Sequence, residues 1–404
     1  MPRAFLRSCP HFSTTVGAPG PVLLGTILCL LAPLPNATAQ PFGTGRTIAT
    51  TPDGAKDVIA ADVDGDGDVD VISASSNDDT VAWYRNGDAS GGGNGSSWTP
   101  ITITTSADHA AGVAAADVDG DGDTDVVSAS TKDNTVAWHR NDNANGDGTD
   151  WTTTVITDSA EGARDVAVAD VDGDGDPDVL SAAFRGGTIS WHQNGDDGSD
   201  WTTTTIDASA KGALSVYPAD VDGDGDVDVL SAAGRAGSLL WYQNGDASGG
   251  GTGSAWTATI IANLDGANSV VARDLTGNGT LDVAGGGFEM LAWYRNDRSK
   301  GTDASWTLNE VGSADGTNKV LAPDLDNDGD ADLLSVNMGG DTISWHRNGD
   351  ASGDGTGSNW TSRPLDRPVE KARSVEVADL DGDGDLDVLL CDDAKITWFE
   401  NRRK

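Results

Sequence analysis

The sequence is poor in cysteine, in basic residues and in long apolar runs. Of its three cysteines, Cys9 and Cys29 fall near the N-terminus and Cys391 stands alone far from them. An exported chain that keeps one cysteine has no internal disulfide, so any staple must come from elsewhere, and a metal is the first candidate. Lysine and arginine number 25 against 65 aspartates and glutamates, a formal charge of −40. That balance argues against phosphate-rich partners, so no nucleic acid is expected. It also strains a compact fold by self-repulsion unless cations offset it. Beyond the N-terminus no segment is long and apolar enough to span a bilayer. Long helical periodicity is missing too, and 53 glycines punctuate short β-branched runs. Many short strands joined by turns are expected.

Residues 1–39 read as an export signal. Arg3 and Arg7 supply a basic start, Val22 to Leu34 an apolar stretch, and Ala37-Thr38-Ala39 a small-residue cleavage site. A membrane anchor is the competing reading, but the apolar run is short for a span. Cleavage near Ala39 would release residues 40–404 as one secreted, extracellular domain with no membrane span.

What the chain has in abundance is a repeat. An aspartate-rich motif begins at Asp62, Asp117, Asp170, Asp220, Asp274, Asp324 and Asp379, at intervals of 55, 53, 50, 54, 50 and 55 residues. A valine precedes each start by four positions, from Val58 to Val375, and a tryptophan follows it: Trp83, Trp138, Trp191, Trp241, Trp293, Trp345 and Trp398. Six more tryptophans (Trp98, Trp151, Trp201, Trp256, Trp306 and Trp360) open runs such as WTTTVIT. Each unit therefore reads as four strands: one ending at the motif, then DVISA, then TVAWYRN, then WTxxxI. Seven such units predict an all-β fold, a seven-bladed β-propeller. The seventh unit stops after its third strand, ITWFEN, while Phe42 to Thr50 resembles a fourth strand without its tryptophan. Pairing the two would complete the last blade and close the ring, removing an exposed edge.

The motif aligns as D-x-D-x-D-G-x-x-D. Its positions one, three, five and nine are Asp62, Asp64, Asp66 and Asp70 in the first unit; Asp117, Asp119, Asp121 and Asp125 in the second; and Asp170, Asp172, Asp174 and Asp178 in the third. They are Asp220, Asp222, Asp224 and Asp228 in the fourth, Asp324, Asp326, Asp328 and Asp332 in the sixth, and Asp379, Asp381, Asp383 and Asp387 in the seventh. Alternate carboxylates on a tight loop can converge on one hard cation taking about 6–8 oxygens. A glycine at position six permits the bend. Position seven would offer its carbonyl, leaving the Asp68 side chain and its counterparts to water. Oxygen donors without cysteine or histidine favour Ca²⁺ over zinc or copper, with Mg²⁺ second. Up to seven Ca²⁺ ions are expected, in a structural role.

An EF-hand would need a glutamate at position twelve and flanking helices; the first motif has Ser73 there and strand-like flanks. A nonapeptide calcium helix has too short a period. The fifth motif departs from the rest, with Asp274, Thr276, Asn278 and Asp282. Two carboxylates become neutral donors, so the fifth site is expected to be the weakest.

D-x-D-G-D-G-x-x-D ahead of DVLSA, repeated seven times, resembles the FG-GAP/VCBS repeats of integrin-alpha-type propellers, over roughly residues 41–404. The resemblance implies a seven-bladed propeller with Ca²⁺ in the loops between the first two strands of each blade. The GAP tripeptide, an inserted ligand-binding domain, stalk domains and a membrane tail are missing, so the chain is more similar to the secreted VCBS-type members. Those include adhesins, lectins and non-catalytic propellers attached to carbohydrate-active enzymes.

His139, His192 and His346 follow the third-strand tryptophan where other units have Tyr84, Tyr242, Tyr294 or Phe399, which points to aromatic packing between blades. The tryptophans at strict repeat positions read as core before they read as sugar platforms. No nucleophile elbow, zinc-protease signature or phosphate loop occurs. The acids recur in every unit, whereas a glycosidase needs one asymmetric pair, so no catalytic residue is expected. Two readings stay open: a secreted interaction or adhesion module for an extracellular protein or glycan, and a polysaccharide-active lyase or hydrolase or its carbohydrate-binding propeller.

Overall fold

A short strand with apolar residues on both faces must be covered on both sides, and that requirement organises the domain. The computed structural model describes residues 42–87, 92–142, 148–195, 198–245, 250–297, 305–313, 316–349, 355–365, 369 and 371–402. The expected export signal and its cleavage site lie outside these residues. Among them the strands form seven four-stranded antiparallel sheets. In the first, Ala55–Ala61, Asp70–Ser75, Thr80–Asn86 and Trp98–Thr104 pair in chain order. The expected four strands per unit and the seven-bladed all-β propeller are both present.

Burial explains each strand's composition. Every residue of Asp70–Ser75 is buried, because this strand lies between two others and both sheet faces meet a neighbouring blade. That is why it reads as an unbroken small and branched run. The outermost strand, Trp98–Thr104, is mostly exposed or half-buried, with only Ile103 buried, and carries Pro100, as an edge strand tolerates.

First strands of successive blades adjoin, Ala55–Ala61 against Ala110–Ala116 and so on, until Ser374–Ala378 returns to Ala55–Ala61. Seven apolar clusters each join two blades; Ile72, Val81 and Trp83 pack with Ala110, Val113 and Val126. The cluster of Leu389, Ile396 and Trp398 with Val58, Val71 and Tyr84 joins the last blade to the first.

Closure comes from the N-terminal strand. Arg46–Ala49 pairs antiparallel with Ile396–Phe399, and Phe42 bridges Asn401. In other blades the residue opposite that asparagine is the fourth-strand tryptophan, as in Asn86 with Trp98. Phe42 thus takes the tryptophan's place and stands edge-on to Trp345 of the preceding blade, centroids 6.3 Å apart.

The third-strand tryptophans are core, as expected: Trp83 and Trp398 are fully buried and the other five nearly so. Among the described residues five blades press a glycine onto a neighbour's indole: Gly95, Gly148, Gly198, Gly253 and Gly357. At Gly198, φ is 72° and an added Cβ would lie 2.4 Å from the Trp138 ring. Among the described residues no helix is long and apolar enough to cross a membrane, which does not bear on membrane-spanning barrels.

Candidate metal centres

Each acidic loop links the innermost strand to the second, and backbone N–H groups hold its carboxylates in place. In the first blade Asp62 Oδ1 accepts from Gly65 N–H at 2.9 Å and Oδ2 from Gly67 N–H at 3.0 Å. Asp66 Oδ1 accepts from Asp68 N–H at 3.0 Å. Gly67 has φ of 93° and open space where a Cβ would stand, so backbone conformation alone calls for glycine. Position one accepts from the glycine N–H at position six in all seven loops, at 2.7–3.1 Å.

Position nine is the loop's buried foot. Asp70 Oδ2 accepts from Val63 N–H at 3.1 Å, and Oδ1 from Asn86 N–H at 2.8 Å. The same pair of bonds recurs at Asp125, Asp178, Asp228, Asp282, Asp332 and Asp387. Burial raises these carboxyls, to about 7 at Asp70, Asp228, Asp332 and Asp387 and to about 6 at Asp125, Asp178 and Asp282, against the opposing pull of the backbone donors. At position three Asp64, Asp119, Asp172 and Asp381 are raised as well, Asp64 by burial first, then by Asp66, with Arg85 opposing.

The loops gather the carboxylates the sequence singled out. One oxygen from each of Asp62, Asp64 and Asp66 lies within 4.8 Å of the others, and so do those of Asp324, Asp326 and Asp328. In the second to fourth loops the trios combine positions one, three and nine: Asp117, Asp119 and Asp125; Asp170, Asp172 and Asp178; Asp220, Asp222 and Asp228. The donor set suits a hard cation. Buried oxygens support the fit: Asp64 Oδ1, Asp117 Oδ1, Asp224 Oδ2, Asp381 Oδ1 and Thr276 Oγ1 have no hydrogen-bond partner among the described residues. A buried carboxylate oxygen left so is costly, and a cation would supply the missing partner. In the fifth loop Asn278 Oδ1 already accepts from the N–H and the hydroxyl of Thr280, at 2.8 and 2.6 Å.

One expectation is corrected. Asp68, Asp226 and Asp330, at position seven, do not point to water: each accepts a backbone N–H, from Gly93, Gly251 and Gly355, tying the acidic loop to the long loop before the fourth strand. The third-strand histidines are buried and bond within their own blades. His192 is buried with Nε2 2.9 Å from Ser181 Oγ and Nδ1 2.9 Å from Thr203 Oγ1, and burial lowers its pKa to about 4.

Two further residue sets shape the loops. The residue before the third-strand asparagine reaches position three: Arg85 contacts Asp64 at 3.2 Å, and Gln193 donates to Asp172 at 2.6 Å. In the fifth blade, where position three is Thr276, Arg295 instead pairs with Asp297 at 2.6 Å. In the seventh, the corresponding residue is Glu400, whose charge helps to raise Asp381. The asparagine itself ties blades together. Asn194 Nδ2 donates to Val118 O of the preceding blade's loop at 2.9 Å and to Pro177 O of its own at 3.2 Å, while Oδ1 accepts from Gly198 N–H. Asn86 does the same across the closure, donating to Leu380 O at 2.8 Å.

Compared with protein-family models, the chain matches the FG-GAP-like repeat at residues 62–128, 117–181, 170–231, 220–285 and 324–390. The chain belongs to the FG-GAP-like repeat family. Each matched stretch of this FG-GAP-like repeat protein starts at an acidic loop, and none starts at the divergent Asp274. Comparison with curated proteins gives no match. Among solved structures, BBS1N in complex with ARL6DN, soaked with mercury, is similar at a TM-score of 0.58 and 11% identity, covering 90% of this chain and 98% of that one. A protein from Lactobacillus plantarum is similar at 0.51 and 16%, covering 78% and 84%. At these identities the likeness is one of fold.

Proposed function

We propose that this FG-GAP-like repeat propeller is a secreted, calcium-binding interaction module for an extracellular protein or glycan. The observation that carries the calcium reading is the set of buried, partnerless loop oxygens beside converging carboxylates. Ca²⁺ would be held by positions one, three, five and nine, with the fifth loop weakest. It would supply positive charge that locks each first hairpin; the chain's own residues pre-form the loop through the glycine and asparagine N–H donors. BBS1N, which shares the fold, is solved in complex with a protein partner, ARL6DN, and that supports an interaction role by analogy. The acids recur blade by blade, which favours scaffold over catalysis.

The test is an array of extracellular glycans and matrix proteins probed with the purified domain, with and without a calcium chelator. Calcium-dependent capture without turnover is expected; depolymerisation of a bound polysaccharide would overturn the module reading in favour of an enzyme. For localisation, protein recovered from culture medium should begin at or next to Gln40, and retention in the cell with Met1 intact would contradict export.

A further inference from the structure

The seven first strands wall a central channel, and its two ends differ. The part nearer the acidic loops is a cavity of about 490 Å³ lined mainly by aliphatic side chains, with Tyr217 and Glu376. The opposite end narrows to about 40 Å³ and is lined by Lys56, Arg164, Arg373, Asn268 and Asn318 above Asp57, Asp165 and Lys319. These residues escape the repeat: the second and fourth blades place Ala111 and Leu214 where the first and third have Lys56 and Arg164.

A backbone device aims them. Pairing of the first strand with the second runs Ala55 to Ser75 and then Asp57 to Ala74, leaving Lys56 as the extra residue of a bulge. The same break leaves Arg164 between Ala163 and Asp165. A β-bulge redirects its extra side chain, here into the channel mouth.

The charges there do not cancel locally. Asp57 is engaged by Ser374 Oγ at 2.7 Å, Val113 N–H at 3.2 Å and Lys319 Nζ at 3.7 Å. Asp165 accepts from Val166 and Val216 N–H at 3.1 and 3.0 Å. Arg373 pairs with Asp393 at 2.7 Å, and Lys56 reaches the same carboxylate at 3.7 Å. Arg164 alone among these cations has no hydrogen bond or ion pair to any described residue. Burial lowers its pKa, the neighbouring Asp165 and Asp57 oppose that, and Arg373 adds repulsion. Arg164 is half-buried, and its guanidinium, free of an acceptor, is open to the mouth, where its planar fork matches an oxyanion.

We propose that the narrow mouth of the channel is an oxyanion site in which Arg164, flanked by Lys56 and Arg373, receives the carboxylate or sulfate group of an acidic ligand. The cavity holds the anionic group; the rest of the ligand lies outside, on the face away from the acidic loops. The site gives the proposed interaction module one ligand chemistry and rests on that reading for its role, while its geometry does not involve the calcium loops.

Calorimetric titration of the calcium-loaded full domain with glucuronate, with sulfate and with neutral glucose tests it. Binding of glucuronate, of sulfate or of both, with none of glucose, is expected, and the pattern tells which oxyanion the site prefers. Arg164→Ala should weaken that binding at least about tenfold, and Arg164→Lys should restore part of it. Lys56→Ala is a second variant should Arg164→Ala fail to fold, and should weaken binding less. Heat from neither anion, equal heat from glucose, or unchanged affinity in both alanine variants would overturn the site. Repeating the titration in chelator separates the readings. Anion binding lost in chelator while circular dichroism shows the domain still folded places the ligand on a loop ion and refutes the channel site, whereas anion binding without any array capture fails the module reading alone.

Discussion

Asn194→Ala isolates the seam between blades. The side chain makes three hydrogen bonds that alanine cannot: to Val118 O at 2.9 Å, to Pro177 O at 3.2 Å and from Gly198 N–H at 2.9 Å. The Asn194 N–H to Asp178 survives, because it is backbone. With about 1 kcal/mol for each bond and a further cost for buried groups left unpaired, the loss is roughly 3–5 kcal/mol. For a domain of this size the unfolding entropy is roughly 0.8 kcal/mol/K, so the melting midpoint should fall by about 4–6 °C. Asn194→Asp keeps the acceptor for Gly198 but loses both donated bonds and brings a negative charge toward Asp178, so it should be worse than alanine. Scanning calorimetry in excess calcium reads both. A midpoint within about 1 °C of the parent for Asn194→Ala would refute the reasoning, since two of the three bonds are buried and the third is part-buried.

Other perturbations reach different parts of the account. Gly198→Ala puts a Cβ 2.4 Å from the Trp138 ring at a φ of 72°, and should destabilise by about 2 kcal/mol or more in chemical denaturation. Arg347→Gln removes a cation that pairs with Asp326 and with Asp328 at 3.3 Å, and should tighten calcium at the sixth loop by about tenfold in a competition titration; weaker binding would show that the arginine supports the site. The position-nine carboxyls have folded values of about 6–7, above the unfolded value near 4. The folded state therefore holds extra protons, and their stabilising contribution is present at low pH and lost as pH rises through 6–7. His139, His192 and His346 work the other way: at about 4 they favour the fold above the unfolded value near 6.5 and oppose it as pH falls. With seven carboxyls against three histidines, the chelated protein should melt higher at pH 5.5 than at pH 8, and calcium should add more stability at pH 8; melts at the two pH values, with and without chelator, check both.

Much of the architecture could be read from spacing because a propeller repeats one local solution. The run of Asp70 to Ser75 announced a strand buried on both faces, and Phe42 to Thr50 announced the closing strand although Phe42 replaces the tryptophan. The carboxylates of the loops were visible for the same reason. What stayed hidden depends on partners distant in the chain. The asparagine ending TVAWYRN recurs as plainly as the tryptophan, but its acceptor lies one blade back, 76 residues away for Asn194. The glycine N–H groups that capture Asp68 and its counterparts belong to loops whose composition suggests only solvation. The channel mouth eluded the repeat alignment because its function-bearing residues, Lys56 and Arg164, are the ones that differ between blades.

We propose that calcium in the acidic loops holds the propeller together. Scanning calorimetry of the domain in millimolar calcium and again in excess chelator tests it most directly. At a free concentration ten times the dissociation constant, each site adds about 1.4 kcal/mol, so six comparable sites add roughly 8 kcal/mol and raise the midpoint by about 10 °C. A midpoint that does not move on chelation would contradict the account.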